Sequence, residues 1–506
     1  MSNTSENLQA TRRGFLTTVT AISAASYNRI LGANDRVGIG FIGFGLIGKQ
    51  HVGGFKTYND VEILGMCDVY KPRVQEGLAY IGNPNCKGYS DFRKMYEDKN
   101  IHGVVVATPD HWHALLTIMA CAAGKDVYVE KPLTVANNEG KWMLQAQEKF
   151  KRIVVAGTQR RHNRNVAEAK KTVESGVLGK IHMARLGSTR NIYPGFGKTP
   201  VENPPADLDY EMWLGPAPKK PYQAHRALYH FRWFWDYSGG QMTNLGAHSI
   251  DQLQYIMGVK GPTLVASTGG RFVLEDDGET PDVQDAWFLY PPSKLAPNGW
   301  VLAFTMREAN AYRDTTGGVI MGTKGNLLTG SNEVVSEMRG DPVNQIPRFL
   351  GHPIGGPVYT ETRSTPWIEG AATSATAGRG AGAGGARGAG GAAPAGEAGR
   401  GAARGAGGAA GSGAPAGFPG EAAMYLNHRD FVNSIRTRAK PLCDLESAHR
   451  VAITCNLANM SLRLGGRAIR WDPEKEVVIG DKEAAAMCTR DYRAPWDKEL
   501  RSIVKV

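Results

Sequence analysis

The tightest constraint on folding is the run Val37 to Gly48, which reads Val-Gly-Ile-Gly-Phe-Ile-Gly-Phe-Gly-Leu-Ile-Gly. A short apolar segment ends in Gly43-x-Gly45-x-x-Gly48, and helix-permissive sequence comes directly after it. Between a strand and a helix, each glycine of this pattern has its own job. The first allows the tight turn, the second lets backbone approach a pyrophosphate, and the third lets the helix sit close on the strand. The N-terminal amides of that helix then face the phosphates. The expected cofactor contacts here are Gly43, Phe44, Gly45, Leu46, Ile47 and Gly48. In a chain with 63 glycines the pattern alone is weak, and the next hundred residues decide its meaning.

Those residues alternate apolar strands with amphipathic helices, the pattern of a parallel sheet covered on both faces. Strands are expected at Val37–Ile42, Val61–Cys67, Cys86–Tyr89, Gly103–Thr108, Asp126–Glu130 and Ile153–Gly157, with helices starting near Leu46, Lys71, Asp91, Trp112 and Val135. Asp68 closes the second strand 25 residues after Gly43, where a carboxylate hydrogen-bonds adenosine ribose hydroxyls and repels a 2′-phosphate. NAD is therefore the expected cofactor; the nearby Lys71 and Arg73 keep NADP open.

The fourth strand runs into Ala107-Thr108-Pro109-Asp110-His111-Trp112-His113, a turn at the carboxyl end of the sheet, where ligands of such sheets bind. Thr108, Pro109 and His113 are candidate cofactor contacts. Asp110 serves equally well as a helix N-cap, and one of the two histidines is expected simply to pack.

The fifth strand ends in Glu130-Lys131-Pro132-Leu133. Glu-Lys-Pro at this place in a dinucleotide domain resembles the glucose–fructose oxidoreductase / inositol dehydrogenase / rhizopine catabolism family of sugar oxidoreductases. The resemblance implies that Lys131 lies by the nicotinamide and the reacting sugar carbon, with Glu130 beside the cofactor. Oxidising an alcohol needs a base for the hydroxyl proton while hydride leaves the same carbon, and a desolvated lysine beside a cationic ring has its pKa pushed towards working pH. The bland alternative is a Lys131–Glu130 pair on a surface turn.

Gly157-Thr158-Gln159-Arg160-Arg161-His162, a helix to about Ser175, and Gly179-Lys180-Ile181-His182 continue the resemblance. The implied fold is α/β: a Rossmann doubly wound parallel sheet, then an α+β domain with a large, mostly antiparallel sheet. Leu264–Ser267, Val283–Tyr290, Trp300–Arg307 and Gly318–Gly322 alternate well enough to be strands of it. Arg160 and Arg161 either line the cleft or form a solvated pair. Phe231-Arg232-Trp233-Phe234-Trp235, and the run Ser238 to Asp251, resemble a secreted branch of the family; Trp233 either stacks on sugar C–H groups or packs in the core. In the family, an aspartate and a histidine four residues later share one helical face towards the substrate beside the lysine, so that the aspartate orients the histidine and stabilises its protonated form. His248 matches the histidine, whereas Asn244 holds the aspartate position and offers hydrogen bonds without charge. Asp251, three residues on, either substitutes for that aspartate or faces inward as structure. Lys131 and His248 are the expected catalytic pair, with Asn244 as an orienting or sugar-binding residue. His449 is a further cleft candidate whose alternative is helix packing.

At the N-terminus, Thr11-Arg12-Arg13-Gly14-Phe15-Leu16 and the mildly apolar residues to Ala25 match a twin-arginine export signal. Export implies a periplasmic or secreted enzyme that leaves the cytoplasm folded around a tightly held cofactor, or one anchored by an uncleaved signal. No run approaches the roughly 18 apolar residues of an ordinary membrane span. The net charge of +11 is spread among acidic residues and partly supplied by a Gly/Ala/Arg stretch, so nucleic acid is not an expected partner. The scattered cysteines, without a C-x-x-C pair, indicate neither a disulfide framework nor a metal site; Cys67 and Cys121 are expected to be buried.

The expected organisation is a signal over 1–33, a Rossmann domain over 35–157, a substrate and oligomerisation domain over 158–369, a disordered insertion over 370–420, and C-terminal helices over 421–506 completing the second domain. Arg429–Arg436 and Leu445–Leu464 have helical spacing. The expected function is hydride transfer between a carbohydrate alcohol carbon and bound NAD in a homo-oligomer. The alternatives are an NAD-dependent glycoside hydrolase working by transient oxidation and elimination, and a sugar-binding protein without catalysis.

Overall fold

The strand–helix alternation that begins at Val37 builds one sheet. The computed structural model describes residues 36–311, 318–335 and 421–506. Contacts divide the chain into residues 1–335 with 420–506 and, separately, residues 336–419. Every described residue belongs to the first unit, and the expected signal (1–33) and insertion (370–420) lie outside the described residues.

The first sheet has six parallel strands in the order β3-β2-β1-β4-β5-β6: β1 Val37–Ile42, β2 Val61–Cys67, β3 Lys87–Tyr89, β4 Gly103–Val106, β5 Asp126–Val129 and β6 Val154–Ala156. The helices between them are α1 Leu46–Phe55, α2 Lys71–Ile81, α3 Phe92–Tyr96, α4 His113–Ala122 and α5 Asn137–Phe150. Strands β1, β4 and β5 are buried at every residue, which is why they read as unbroken apolar runs. Several expected strands end one or two residues early, because β4 and β5 hand over to the turns that carry Thr108 and Lys131. Helix α4 likewise starts after a single 3₁₀ turn, Asp110–Trp112, and α3 starts after Asp91, whose carboxylate accepts from the Arg93 amide. Because β1 lies between β2 and β4, the chain winds away from it in both directions. A crevice opens at that switch point, above the carboxyl ends of the strands.

The second sheet has nine strands in the order β13-β12-β11-β7-β10-β9-β8-β14-β15: β7 Ile181–Thr189, β8 Leu264–Gly270, β9 Val283–Tyr290, β10 Trp300–Arg307, β11 Val319–Gly322, β12 Asn326–Leu328, β13 Glu333–Val335, β14 Ile469–Asp472 and β15 Val477–Val478. Only β7 and β10 pair in parallel; the others are antiparallel. Strands β9 and β10 alternate buried and outward positions. Helices α6 Arg164–Glu174, α7 Tyr210–Leu214, α8 Gly240–Asn244, α9 Gly246–Met257, α10 Glu421–Thr437, α11 Leu445–Arg463, α12 Lys482–Ala486 and α13 Trp496–Ile503 complete the fold. No helix among the described residues is long and apolar enough to cross a membrane.

The C-terminal residues do more than complete the second domain. Phe431, Val432 and Ile435 of α10 join the core under β1 and β5, and Trp496, Leu500 and Ile503 of α13 pack with α4 on the other face. Helix α11 feeds both cores: Ala448 and Ala452 lie in the first domain's, Val451, Cys455 and Leu457 in the second's. Covering both faces of a parallel sheet requires more helical surface than residues 35–157 supply. Cys67 and Cys121 are buried.

Candidate active site

The glycine turn is shaped by backbone contacts. Gly43 has φ +94°, and a Cβ there would stand 2.6 Å from the Ala107 carbonyl oxygen, so the turn between β1 and α1 requires glycine. A Cβ on Gly48 would collide with the Gly43 carbonyl oxygen, which places α1 tight against the strand. At Gly45 the only neighbour such a Cβ would have is Arg73, 3.9 Å away. The space above Gly45 is open, and the first turn of α1 has neither a side-chain cap nor an acidic residue. Uncapped amides below an open face fit the diphosphate of a dinucleotide. Gly43, Gly45, Leu46, Ile47, Thr108 and Pro109 line this crevice. Phe44 does not line it: its ring is buried and its amide donates to Asp68.

Asp68 also lines the crevice. Its two oxygens accept the Phe44 amide at 2.8 Å and the Tyr70 amide at 2.9 Å, which fixes the carboxylate and leaves each oxygen a lone pair for a ribose hydroxyl. Of the two basic residues considered for NADP, Lys71 is exposed and faces Asp207, while Arg73 lines the crevice. Asp68→Ala is therefore expected to weaken NAD binding by about 10- to 100-fold, the worth of hydrogen bonds to a charged group. NADP binding should improve, since Arg73 is left to meet a 2′-phosphate. Calorimetric titration of cofactor-free protein with each dinucleotide checks this.

Two expected cofactor contacts turn out to support the site from behind. His113 has Nδ1 2.7 Å from the Pro132 carbonyl and Nε2 2.9 Å from that of Thr108. Both ring nitrogens are occupied, so His113 ties the two cofactor turns together and offers the cofactor no nitrogen. Glu130 is buried; its Oε2 accepts the Lys131 amide at 3.0 Å and its Oε1 lies 2.9 Å from His51 Nε2. His51 Nδ1 in turn lies 2.7 Å from His428 Nε2 on α10. Burial alone would raise the Glu130 pKa, but the His51 hydrogen bond and charge, with Lys131, bring it below its ordinary value. His51 follows Gly48 by one helical step of three, on the face of α1 that meets the strands; His428 carries no comparable sequence mark.

Lys131 is not on a surface turn. Its Nζ donates to Asn244 Oδ1 at 2.9 Å and to the Asn244 carbonyl at 3.1 Å. With two N–H groups committed, one position on nitrogen remains, for a proton or a lone pair. Burial lowers the Lys131 pKa, an effect that Glu130 opposes and Arg232 assists. Asn244 thus orients the lysine. It does not act on His248 as the family's aspartate is expected to, because α8 ends at Asn244 and α9 begins at Gly246. His248 is buried, and its Nδ1 has no hydrogen-bond partner among the described residues. Burial, then the charges of Lys131 and Arg160, hold His248 well below its ordinary pKa, so its imidazole is neutral at neutral pH.

Other candidates fall outside this cluster. Arg161 Nε donates to both oxygens of Asp251 at 3.0 Å, and both side chains are buried. Neither is available to substrate, and Asp251 cannot replace the missing acidic partner of His248. Trp233 is buried, with its indole N–H donating to Glu308 Oε2 at 2.9 Å and Arg190 over its ring; it packs and presents no face to a sugar. His449 is buried against Gly140 of α5 with Nε2 3.0 Å from Glu476, a packing role. Sequence reasoning missed Trp213, Tyr229 and Arg232, which line the crevice from the second domain. The aromatic cluster is plain in the sequence, but which of its residues face inward is set by packing.

Comparison with known proteins agrees with this architecture. The model for the oxidoreductase family's NAD-binding Rossmann fold matches residues 37–158, and the model for its C-terminal alpha/beta domain matches residues 162–267 and 420–498. A myo-inositol 2-dehydrogenase of Thermotoga maritima is 29% identical over 248 residues, 49% of this chain and 63% of that protein. A glycosyl hydrolase family 109 protein of Shewanella pealeana is 26% identical over 49% of this chain and 59% of its own length. The chain thus spans less than two thirds of these curated relatives. The WlbA dehydrogenase of Bordetella pertussis, solved with NADH and UDP-GlcNAcA, superposes with a TM-score of 0.57 at 17% identity, covering 87% of this chain and 99% of that one; at that identity the likeness is one of fold.

Proposed function

Because the chain belongs to the Gfo/Idh/MocA oxidoreductase family, we propose that it oxidises an alcohol carbon of a sugar or polyol, working in the reverse direction on a carbonyl. The observation that carries this reading is Lys131, held on two hydrogen bonds by Asn244 next to a neutral His248. The cofactor's residues are Gly43, Gly45, the first turn of α1, Asp68, Thr108 and Pro109; bound there, the nicotinamide supplies a two-electron acceptor for the hydride leaving carbon. Lys131 takes the hydroxyl proton as the C–O bond becomes a carbonyl. Asn244 keeps the lysine's free position on the substrate side. His248, neutral and with its Nδ1 unpartnered among the described residues, offers a second place for that proton or a hydrogen bond to the oxygen that carries it. In reverse, the same ammonium returns the proton.

Export through the twin-arginine segment belongs to this proposal, with the cofactor retained and regenerated by a second, carbonyl substrate. Purified protein is expected to carry a dinucleotide that anaerobic addition of a sugar panel reduces. The glycosidase reading draws support from the family 109 relative. It requires release of an aryl-glycoside's aglycone with no net reduction of the cofactor, so one panel observed for both signals separates the two.

We also place a homo-oligomer contact on the outward face of the second sheet. Trp287 and Leu289 of β9 are 52% and 42% exposed, and their register neighbours are Ala303 and Val301 on β10 and Ala266 and Leu264 on β8. A contiguous apolar face of this kind marks an interface. Trp287→Glu with Leu289→Lys is expected to turn the oligomer into a monomer in light scattering, with the circular dichroism spectrum unchanged.

A further inference from the structure

We propose that the substrate is an anionic sugar, a sugar acid or sugar phosphate, whose oxyanion is bound by Arg160 beside Lys131 and His248. This rests on the reading of the Lys131 cluster as a carbohydrate site and adds the chemical class of what enters it.

Arg160 lies in the turn Gln159–His162 that comes after β6. Arg160 is half-buried, and its guanidinium makes no hydrogen bond or ion pair with any described residue. Its neighbour Arg161 takes Asp251, and Arg490 takes Glu139 at 2.7 Å. The turn packs against α9, which carries His248, and the charge of Arg160 acts on Lys131, a like charge, and on His248, a neutral ring whose Nδ1 has no hydrogen-bond partner among the described residues. Burial lowers the Arg160 pKa and no carboxylate offsets it. Holding a desolvated cation beside another costs stability, and such an arrangement persists where a ligand supplies the missing charge.

The nearby carboxylates are already engaged. Glu130 is held by His51 and the Lys131 amide, and Asp110 is buried and accepts the Ser238 hydroxyl at 2.5 Å. Arg232 is a third cation near Lys131, but it lines the dinucleotide crevice, where the cofactor's own phosphates answer it. Neither Arg160 nor Lys131 lines that crevice, so Arg160 belongs with the reacting end of the site and not with the diphosphate. Because Arg160 and the proton acceptor share a cluster, the anion and the carbon to be oxidised must sit on one small molecule. The planar fork of a guanidinium suits a carboxylate or phosphate in bidentate contact.

The test is calorimetric binding to the cofactor-loaded protein of glucuronate, galacturonate and gluconate, of glucose 6-phosphate, and of glucose, galactose and sorbitol as neutral counterparts. Reduction of the bound cofactor is recorded with each. At least one acid or phosphate should bind about 100-fold more tightly than its neutral counterpart, the worth of hydrogen bonds between charged groups. Comparing the acids with glucose 6-phosphate identifies the oxyanion. Arg160→Gln should abolish the preference without lowering the unfolding midpoint, since it removes an unpaired desolvated cation, and Arg160→Lys should retain part of the preference. Equal binding of neutral sugars, no binding of any anionic sugar, or a preference that survives in Arg160→Gln overturns the inference, while neutral sugars that reduce the cofactor leave the oxidoreductase reading standing. If glucuronate binds through Arg160 but nothing reduces the cofactor, the anion site stands and the oxidoreductase reading falls.

Discussion

Lys131→Ala is expected to lower kcat by roughly 10³-fold, within the range that a positioned acid–base group contributes, while the protein folds and still binds NAD. The dinucleotide crevice is built by Gly43, Gly45, Asp68 and the first turn of α1, none of which leans on the lysine amine, so loss of chemistry is separable from loss of cofactor. The pH dependence carries a second signature. The base is the neutral amine, and burial lowers the Lys131 pKa from 10.5. The wild-type oxidation rate should therefore rise with pH through a midpoint below that value and fall as the amine is protonated at lower pH. In Lys131→Ala this limb should vanish. Asn244→Ala should leave the limb in place, move its midpoint and reduce kcat more than it raises KM, since it removes both orientation and a hydrogen-bond acceptor from the lysine.

Asp251→Ala is expected to cost about 3–5 kcal/mol of stability, because it leaves the buried Arg161 guanidinium without its carboxylate. The side chains of Arg161 and Asp251 are 4% and 1% exposed, so solvent cannot take over. Denaturant unfolding should show a lowered midpoint at an unchanged slope. The paired replacement Arg161→Met with Asp251→Leu should recover much of the loss, as removing both partners of a buried pair often does. A change below about 1 kcal/mol in Asp251→Ala, the scale of an exposed pair, would show that the pair is open to water in solution.

The contrast between these residues shows what could be read from the chain. Strands β1, β4 and β5 were legible because burial on both faces leaves a continuous apolar run. Lys131 was legible because its motif ends a strand at the side of the sheet where ligands bind. The pairing of Arg161 with Asp251 was not legible because they are 90 positions apart, and nothing local shows that one neutralises the other. The bond between His51 and His428 spans 377 positions and is fixed only when α10 returns to cover β1 and β5. The neighbour of Asn244 was not legible: spacing by four implies one helical face with His248, whereas the chain breaks between α8 and α9 and Asn244 meets Lys131. Strands β12, β13 and β15, of three, three and two residues, are too short for alternation to register; pairing with neighbours makes them strands.

The central claim is that this crevice holds a nicotinamide dinucleotide which Lys131 and its neighbours use to oxidise a carbohydrate. The most direct measurement is native mass spectrometry of the purified protein before and after anaerobic addition of the sugar panel, with the cofactor released and identified. The account predicts one dinucleotide per chain, NAD in preference to NADP, converted to its reduced form by at least one carbohydrate in the wild type and not in Lys131→Ala. A protein that carries no dinucleotide and binds neither when offered would contradict it.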